Sequence, residues 1–552
     1  MGLSPRCHGD RLRSQYPDPG VPDIGQTQYT GGSHVQQFSR RQFIKMAGTA
    51  AAGTLIAPLG LLQARAMAAA PNCMPASFAA SGFGAIAPRI PDNTAELGNV
   101  AGLGDLRGMP LLALPEGFRY NAISIRGDRM SDGVLVPGDH DGMACFRTRR
   151  GHYALVRNHE LSIIENEAGS FDGCLAPNGR QYDPFTGAAA GLGGGGTSTL
   201  IIDRFGRRIQ DYVSLGGTIR NCAGGPTPWD TWISCEEDVT TPETEPLATK
   251  RHGYNFEVPA DLGEAIDPVP LIAMGRMNHE AVSVDPFTGS VYQTEDRGDS
   301  CWYRFVPRKR PQRYGDLQEG GELYALVIDP YQRSACNGDV LPSSVLQGVE
   351  VVDTRGPARG APGSMLPFLG QPLKARWVRL DDVDPAEDTL RHEAQAKGAA
   401  VFWRGEGAWH HNGKHYWVCS GAGDAGEGQV WCYDPRTETV TLLLESTDEN
   451  LLDGPDNLTV AGDGTLYLCE DGSSGTPGDP NHGQYVVGVD SAGGLFHFAH
   501  NLLDTSEFAG ACFAPGDRIM AVNSQGLGVT YTIWREDGRA ITLNHRGRGH
   551  RL

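Results

Sequence analysis

The sequence predicts an all-β fold, a six-bladed β-propeller with loop and short-helix insertions, and three observations carry that expectation. Strand-like runs recur as turn-linked hairpins, the chain holds 74 glycines and 36 prolines, and carboxylates gather where the hairpins open and close. Glycine and proline at this level mark many turns rather than long helices. Hairpins at turn spacing point to antiparallel sheets and away from a parallel α/β fold, which needs helical crossovers between strands. A β-sandwich or a pair of β-domains is the competing arrangement.

Taken in order, the first element is an export signal. Ser39-Arg40-Arg41-Gln42-Phe43-Ile44-Lys45 precedes an Ala/Gly-rich apolar run over 46–62 and then Ala64-Arg65-Ala66. That is the pattern of a twin-arginine signal with a small-residue cleavage site. Residues 1–66 are therefore expected to bring the chain to the twin-arginine translocase and to be removed, leaving a periplasmic or secreted protein. The apolar run is short and rich in small residues, and no later segment reaches the ~18 uninterrupted apolar residues of a membrane span. No stable membrane anchor is expected.

Residues 67–134 follow as an extended N-terminal segment packing on the propeller, and 135–552 form the propeller itself, with an insertion at about 350–398. The repeat is clearest over 408–446. Strand-like 408–411 is followed by Asn412-Gly413, a strong hairpin signal, and then by strand-like runs over 414–420, 429–434 and 439–445. Four short antiparallel strands of this kind make one propeller blade. Similar units start near Met143, Ala223, Ala281, Leu458 and Cys512, which with Ala408 gives six. The insertion is Gly/Pro-rich over 355–363, acidic from Asp381 to Asp388, and fits a short helix around 386–397 within an excursion over the propeller.

The formal charge is −19, and residues 1–66 carry seven Lys/Arg and three Asp/Glu, so their removal makes it −23. Phosphate-backbone binding needs a basic face, so nucleic acid is excluded as a partner. Eleven cysteines follow residue 66, an odd number in an exported chain, so at least one is free, metal-bound or intermolecular. None stands in a C-x-x-C spacing, which removes zinc ribbons and thioredoxin-like chemistry. Cys145, Cys419 and Cys432 lie in apolar strand-like runs and read as core residues.

Antiparallel pairing gives the acids a geometry, because a hairpin's first strand begins where its second strand ends. Asp139-His140-Asp141, Cys222, Glu280, Glu406 and Asp456 precede first strands, while Glu160, Glu236-Glu237, Glu295-Asp296, Asp424 and Glu470-Asp471 follow second strands. Both sets fall on one face of the inferred propeller, near its central channel. Crowded carboxylates repel unless a proton or cation sits between them, which makes a polymetal site the functional reading and loop decoration the plain one. Cys222 adds a soft ligand among hard ones, a mixture that suits iron better than calcium or magnesium. Arg157, Arg276, Arg297 and Arg404 lie close in sequence to these acids and either neutralise them or grip an anionic substrate such as phosphate. His159 and His279 each precede a glutamate and are candidate ligands or supporting groups.

Competing motifs are missing. The glycine run 193–196 leads into a strand-like segment with no lysine, so it is a turn and not a phosphate loop, and neither G-x-S-x-G nor H-E-x-x-H occurs.

The stretches 215–225, 227–232, 235–237, 274–280, 294–299, 404–409 and 455–458 together resemble the PhoX family of exported alkaline phosphatases, and the twin-arginine pattern fits it too. The resemblance implies a six-bladed propeller that hydrolyses phosphomonoesters with a pair of oxo-bridged ferric ions (Fe3+) and several Ca2+. It implies that Cys222 binds iron, that Glu280, Glu406 and Asp456 bind metal, and that Arg404 lies on the phosphate side. Arg404, Glu406 and Cys222 are accordingly expected in catalysis and Arg404 in substrate binding, where Arg157 and Arg276 are expected too from their closeness in sequence to the acids. Glu160, Glu236, Glu237, Glu295, Asp296, Glu470 and Asp471 complete the expected metal ligands. The chain departs from the family at Asp230, where the resemblance implies glycine. A monomer acting on a small phosphate ester is expected. A calcium-dependent propeller lactonase or esterase, suggested by Asp456-Asn457, and a non-catalytic calcium-stabilised propeller are the alternatives.

Overall fold

A computed structural model describes residues 77–78, 82–100, 104–163, 173–189, 193–472 and 483–543; the expected export signal lies outside the described residues. The described chain is almost entirely β, with the expected short helix at Leu390–Ala396. No helix among the described residues is long and apolar enough to cross a membrane.

The strands form antiparallel meanders of propeller type. Unit 1 is His140–Arg147, Tyr153–His159, Gly195–Ile202 and Arg208–Thr218. Unit 2 has three strands, Asn221–Pro226, Thr231–Glu236 and Asn255–Pro259. Unit 3 is His279–Val284, Val291–Glu295, Tyr303–Pro307 and Gly321–Ile328. Unit 4 is Gly405–His411, Lys414–Cys419, Gln429–Asp434 and Thr439–Glu445. Unit 5 is Pro455–Val460, Leu466–Glu470, Tyr485–Val489 and Gly494–Asn501. Unit 6 is Phe508–Phe513, Ile519–Ser524 and Val529–Arg535. Each unit starts slightly before the position expected from strand alternation, because a bulge near each start breaks the period-2 pattern.

The first strand of each unit lies against that of the next, and the first strand of unit 6 lies against that of unit 1. Such a ring leaves little room between neighbouring backbones. A Cβ on Gly142 would lie 2.6 Å from Ala223 Cα, and one on Gly225 would lie 1.9 Å from Val282 O. The N-terminal segment contributes to the sheets as well as packing on them: Phe118–Ile125 pairs with Val529–Arg535 as the fourth strand of unit 6. Strands from the N-terminal segment and from unit 6 thus share one sheet, which covers what would otherwise be an open edge.

Between units 3 and 4 the chain makes its excursion, including a hairpin of Ser343–Leu346 with Val349–Val352. Leu373–Arg379 then pairs with both Gly321–Ile328 and Thr439–Glu445, joining the outer edges of the two units. Aromatic rings fill the space between them: Trp302 stacks on Trp417 at 4.2 Å, and Trp417 on Trp431 at 6.0 Å. Nine cysteines are free among the described residues, all but Cys145 buried, while Cys336 is disulfide-bonded.

Unit 2 contains a buried charged cluster. His252 lies between Glu236 Oε1, 2.7 Å from Nδ1, and Asp183 Oδ2, 3.3 Å from Nε2. Burial disfavours the imidazolium, but the two carboxylates outweigh it and push its pKa up to about 9.

Two predictions follow from this packing. Gly225→Ala should destabilise the fold by about 1–3 kcal/mol or more, as overpacking does, read as a lower urea midpoint at unchanged m-value. The raised His252 pKa makes its contribution full below about 6.5 and lost as pH climbs through about 9. The difference in Tm between wild type and His252→Gln should therefore shrink between pH 7 and pH 10; an unchanged difference would refute the charged pair.

Candidate metal and phosphate site

In every unit the pairing of first and second strands slips at the same place. The breaks fall at His140/Met143, Asn221/Gly224, His279/Val282, Gly405/Ala408, Pro455/Leu458 and Ala509/Cys512. Bulges of this kind re-aim a side chain. The first residues after the slipped pairs are Asp141, Cys222, Glu280, Glu406, Asp456 and Gly510, so five of the six units offer a metal-binding side chain at one equivalent position. Unit 6 offers none. Gly510 has φ of 63°, and a Cβ there would lie 2.3 Å from Asp141 O.

These residues converge. Donor atoms of Cys222, Glu237 and Glu280 lie within 4.8 Å of one another, as do those of Glu280, Glu406 and Asp456, and those of Asp456, Asp471 and Glu507. Shared members make the three groups one continuous chain of ligands. Asp141 and Glu160 adjoin it through Gln525, whose Nε2 donates to Asp141 Oδ2 at 3.0 Å and to Glu160 Oε2 at 2.9 Å.

Side-chain alternation divides the acidic pairs that end second strands. In each pair the second member, Glu237, Asp296 or Asp471, belongs with the cluster, and the first turns into its own sheet. Glu236 accepts N–H bonds from Ile219, Gly253 and Tyr254. Glu470 accepts from the backbone of Asp453 and Tyr485, and Glu295 accepts from Tyr303 Oη at 2.7 Å. Glu236, Glu295 and Glu470 were expected as ligands, but their buried carboxylates hold the blades together and lie outside the three ligand groups.

The arginines divide in the same way. Arg157 is wholly buried and donates to the hydroxyls of Ser124, Thr530 and Ser198. Buried Arg276 donates to the carbonyls of His252, Val239 and Pro385. Both were expected at the substrate, and instead the terminal nitrogens of Arg157 and the guanidinium of Arg276 tie segments together away from the ligand groups. Arg404 is at the cluster: its Nε lies 3.0 Å from Asp296 Oδ1 and 3.1 Å from Glu406 Oε1. Both ring nitrogens of His159 are occupied, by Gly138 O at 2.7 Å and Ser198 Oγ at 2.8 Å, while His279 uses Nε2 on Gly275 O at 2.9 Å and keeps a buried Nδ1 without a partner.

Sequence reasoning missed Glu507 and Arg220, and placed Asp141 on the acidic face without naming it as a ligand. Asp141 could have been found by aligning the units, since it matches Glu280 and Glu406. Arg220 stands two residues before Cys222 as Arg404 stands two before Glu406. Glu507 directly precedes the first strand of unit 6, the same kind of position that flagged other acids.

Burial is the largest influence on these acids, and repulsion between them adds to it. Together they hold Asp141, Glu237, Glu280, Glu406 and Glu507 well above the carboxylate range. Burial and neighbouring acids push Asp471 up to about 7; burial lifts Asp456 to about 6 against the pull of Arg404. Burial, then Glu280 and Glu237, drive the Cys222 thiol far up, so it is no free thiolate nucleophile, and a cation bound beside it would be what removes its proton. Asp141 Oδ1, Asp456 Oδ1 and Glu507 Oε2 are buried without a hydrogen-bond partner. Acceptor oxygens left unpaired inside a protein are costly, and cations among them would remove both that cost and the repulsion. The donor set fits several metal ions.

Asp230, where the resemblance implies glycine, has φ of 61°, a left-handed conformation that glycine adopts freely and Asp tolerates.

Comparisons with known proteins agree with this architecture. The chain is similar in fold to Pseudomonas fluorescens PhoX, solved in complex with vanadate, a transition state analogue, with TM-score 0.55 and 18% identity over 79% of this chain and 98% of that one. A gluconolactonase from Xanthomonas campestris matches at TM-score 0.37 and 11% identity, over 84% of this chain and 97% of that one, too low to bear on function. No curated protein matches the sequence. The model of the alkaline phosphatase PhoX family matches residues 104–528, and the chain belongs to that family.

Proposed function

We propose that this chain is an exported phosphomonoesterase that hydrolyses small phosphate esters at the axial cluster of a six-bladed propeller. The observation that carries the reading is the convergence of Asp141, Cys222, Glu280, Glu406 and Asp456 from equivalent bulges, with unpaired buried oxygens among them, in a chain of the PhoX family. Cys222, Glu237, Glu280, Glu406, Asp456, Asp471, Glu507 and Asp141 would hold the metal. One thiolate among hard oxygens favours iron at the Cys222 end and calcium toward Asp471 and Glu507, in keeping with the ferric ions and Ca2+ that the family resemblance implies. Bound there, such ions supply Lewis acidity and lower the pKa of an attacking water.

The protein's own groups do the positioning. Arg404 is held by Asp296 and Glu406 on the outer side of the cluster, its side chain 40% exposed above an almost wholly buried Glu406. A phosphoryl group entering from solvent meets a guanidinium that stays charged at alkaline pH and can donate to its oxygens. Ser420 donates its hydroxyl to Glu406 Oε1 at 2.8 Å and so fixes the carboxylate that orients Arg404. The bulges, fixed by the close-packed inner strands, keep the ligands in place before substrate arrives. Export by the twin-arginine translocase to the periplasm or beyond, as a monomer, completes the reading.

Purified protein should hydrolyse an aryl phosphate, lose that activity on exhaustive chelation, and regain it when iron and calcium are returned. Arg404→Gln should lower kcat/KM by about 10²–10³-fold, the usual effect of deleting one transition-state donor. Turnover of a lactone panel with no phosphatase activity would favour the lactonase alternative; no turnover of either by metal-loaded protein would leave a scaffold.

A further inference from the structure

Just before the first strand of units 1 to 5, one residue's carbonyl accepts from the second strand's end. Glu160 N donates to Asp139 O, Glu237 N to Arg220 O, Asp296 N to Asn278 O, Ser420 N to Arg404 O and Asp471 N to Gly454 O. Asp139, Arg220, Asn278, Arg404 and Gly454 are therefore equivalent, and only two of them are cationic. Arg220 and Arg404 share more than the position. Both are left-handed, with φ of 46° and 45°, as Asp139 and Gly454 also are at that position. Their amides donate to equivalent carbonyls of the preceding unit, Arg220 N to Leu161 O and Arg404 N to Arg297 O, each at 2.9 Å.

Their side chains are also placed alike. Arg404 reaches Asp296 of unit 3, and Arg220 reaches the equivalent acid of unit 1, Glu160, at 2.5 Å. Arg220 also lies 2.5 Å from Glu237, a member of the ligand chain, as Arg404 lies 3.1 Å from Glu406. They stand on units 2 and 4, on either side of Glu280 in unit 3. Their side chains are 37% and 40% exposed, against 3% for the whole Glu280 residue. The carboxylates engage Arg404 through Nε alone and Arg220 through one terminal nitrogen, so the remaining N–H groups of both forks have no protein partner among the described residues.

We infer that Arg220 is a second phosphate-binding residue, which together with Arg404 clamps the phosphoryl group of the substrate from both sides of Glu280. Two guanidiniums can meet different oxygens of a phosphate dianion and share the charge that spreads over them in the transition state. A clamp of this kind selects a terminal phosphate with three free oxygens over a diester, which offers only two. The inference rests on the phosphomonoesterase reading above.

Inorganic phosphate is the probe. Its binding to metal-loaded wild type, Arg220→Lys and Arg220→Gln is measured by calorimetry and as Ki against an aryl phosphate, with metal content determined for each protein. Arg220→Gln should weaken phosphate binding by tenfold or more and raise KM at matched metal content, and Arg220→Lys should recover part of the loss. A variant that binds phosphate as wild type does, or whose deficit vanishes once metal content is matched, would overturn the clamp and leave Arg220 an ion-pairing residue. A wild type that neither binds phosphate nor cleaves the ester would instead overturn the function on which the clamp rests.

Discussion

Like charge held in a small buried volume is the constraint on which the rest of this structure depends. Asp141, Glu237, Glu280, Glu406, Asp456, Asp471 and Glu507 are drawn together from successive units, and their raised pKa values record how strongly burial and mutual repulsion oppose their charge. A fold can sustain such a cluster only if its scaffold is stiff and a counter-charge is at hand. Stiffness comes from the ring of first strands, packed so closely that glycine is required at contacts such as Gly142 and Gly225. Counter-charge comes in part from Arg220 and Arg404, and the unpaired acceptor oxygens are where cations would supply the remainder.

The repeated architecture gives each unit the same opportunity, and the sequence differentiates them. One bulge position carries Asp, Cys, Glu, Glu, Asp and Gly in turn, and the position before the strand carries arginine only in units 2 and 4. A near-symmetric ring thereby acquires a soft end at Cys222 and an acidic end at Asp471 and Glu507. In unit 6 the bulge position itself, Gly510, carries no ligand. Asymmetry of this kind is what chemistry requires of a symmetric scaffold, since attacking group, phosphoryl group and leaving group need different surroundings.

Much of this was legible in the sequence because strand polarity is a strong rule. Placing the starts of first strands and the ends of second strands on one edge put Cys222, Glu280, Glu406 and Asp456 on one face, and their donor atoms lie in two groups that share Glu280. The errors came from a finer level. Glu236 and Glu237 are neighbours in sequence but point to opposite sides of the strand end, so an acidic pair supplies one cluster acid and one structural carboxylate, and the same holds for Glu295-Asp296 and Glu470-Asp471. Arg157 and Arg276 lie near acids in sequence, yet strand direction carries Arg157 into a hydroxyl-lined interior and Arg276 among backbone carbonyls. Glu507 belongs to the last unit, whose sheet is completed by a distant strand, Phe118–Ile125, and whose start was set beyond the acid.

At the centre of the structure, the thiol of Cys222 and the carboxylates from the four bulges that carry Asp141, Glu280, Glu406 and Asp456 are held to bind metal as one site. Iron and calcium content per chain, measured on protein purified after export and on Cys222→Ser, tests it most directly. We expect both metals in the wild type and loss of iron in the folded variant, with calcium largely retained. A wild type free of iron and calcium, or a variant that keeps its iron, would contradict it.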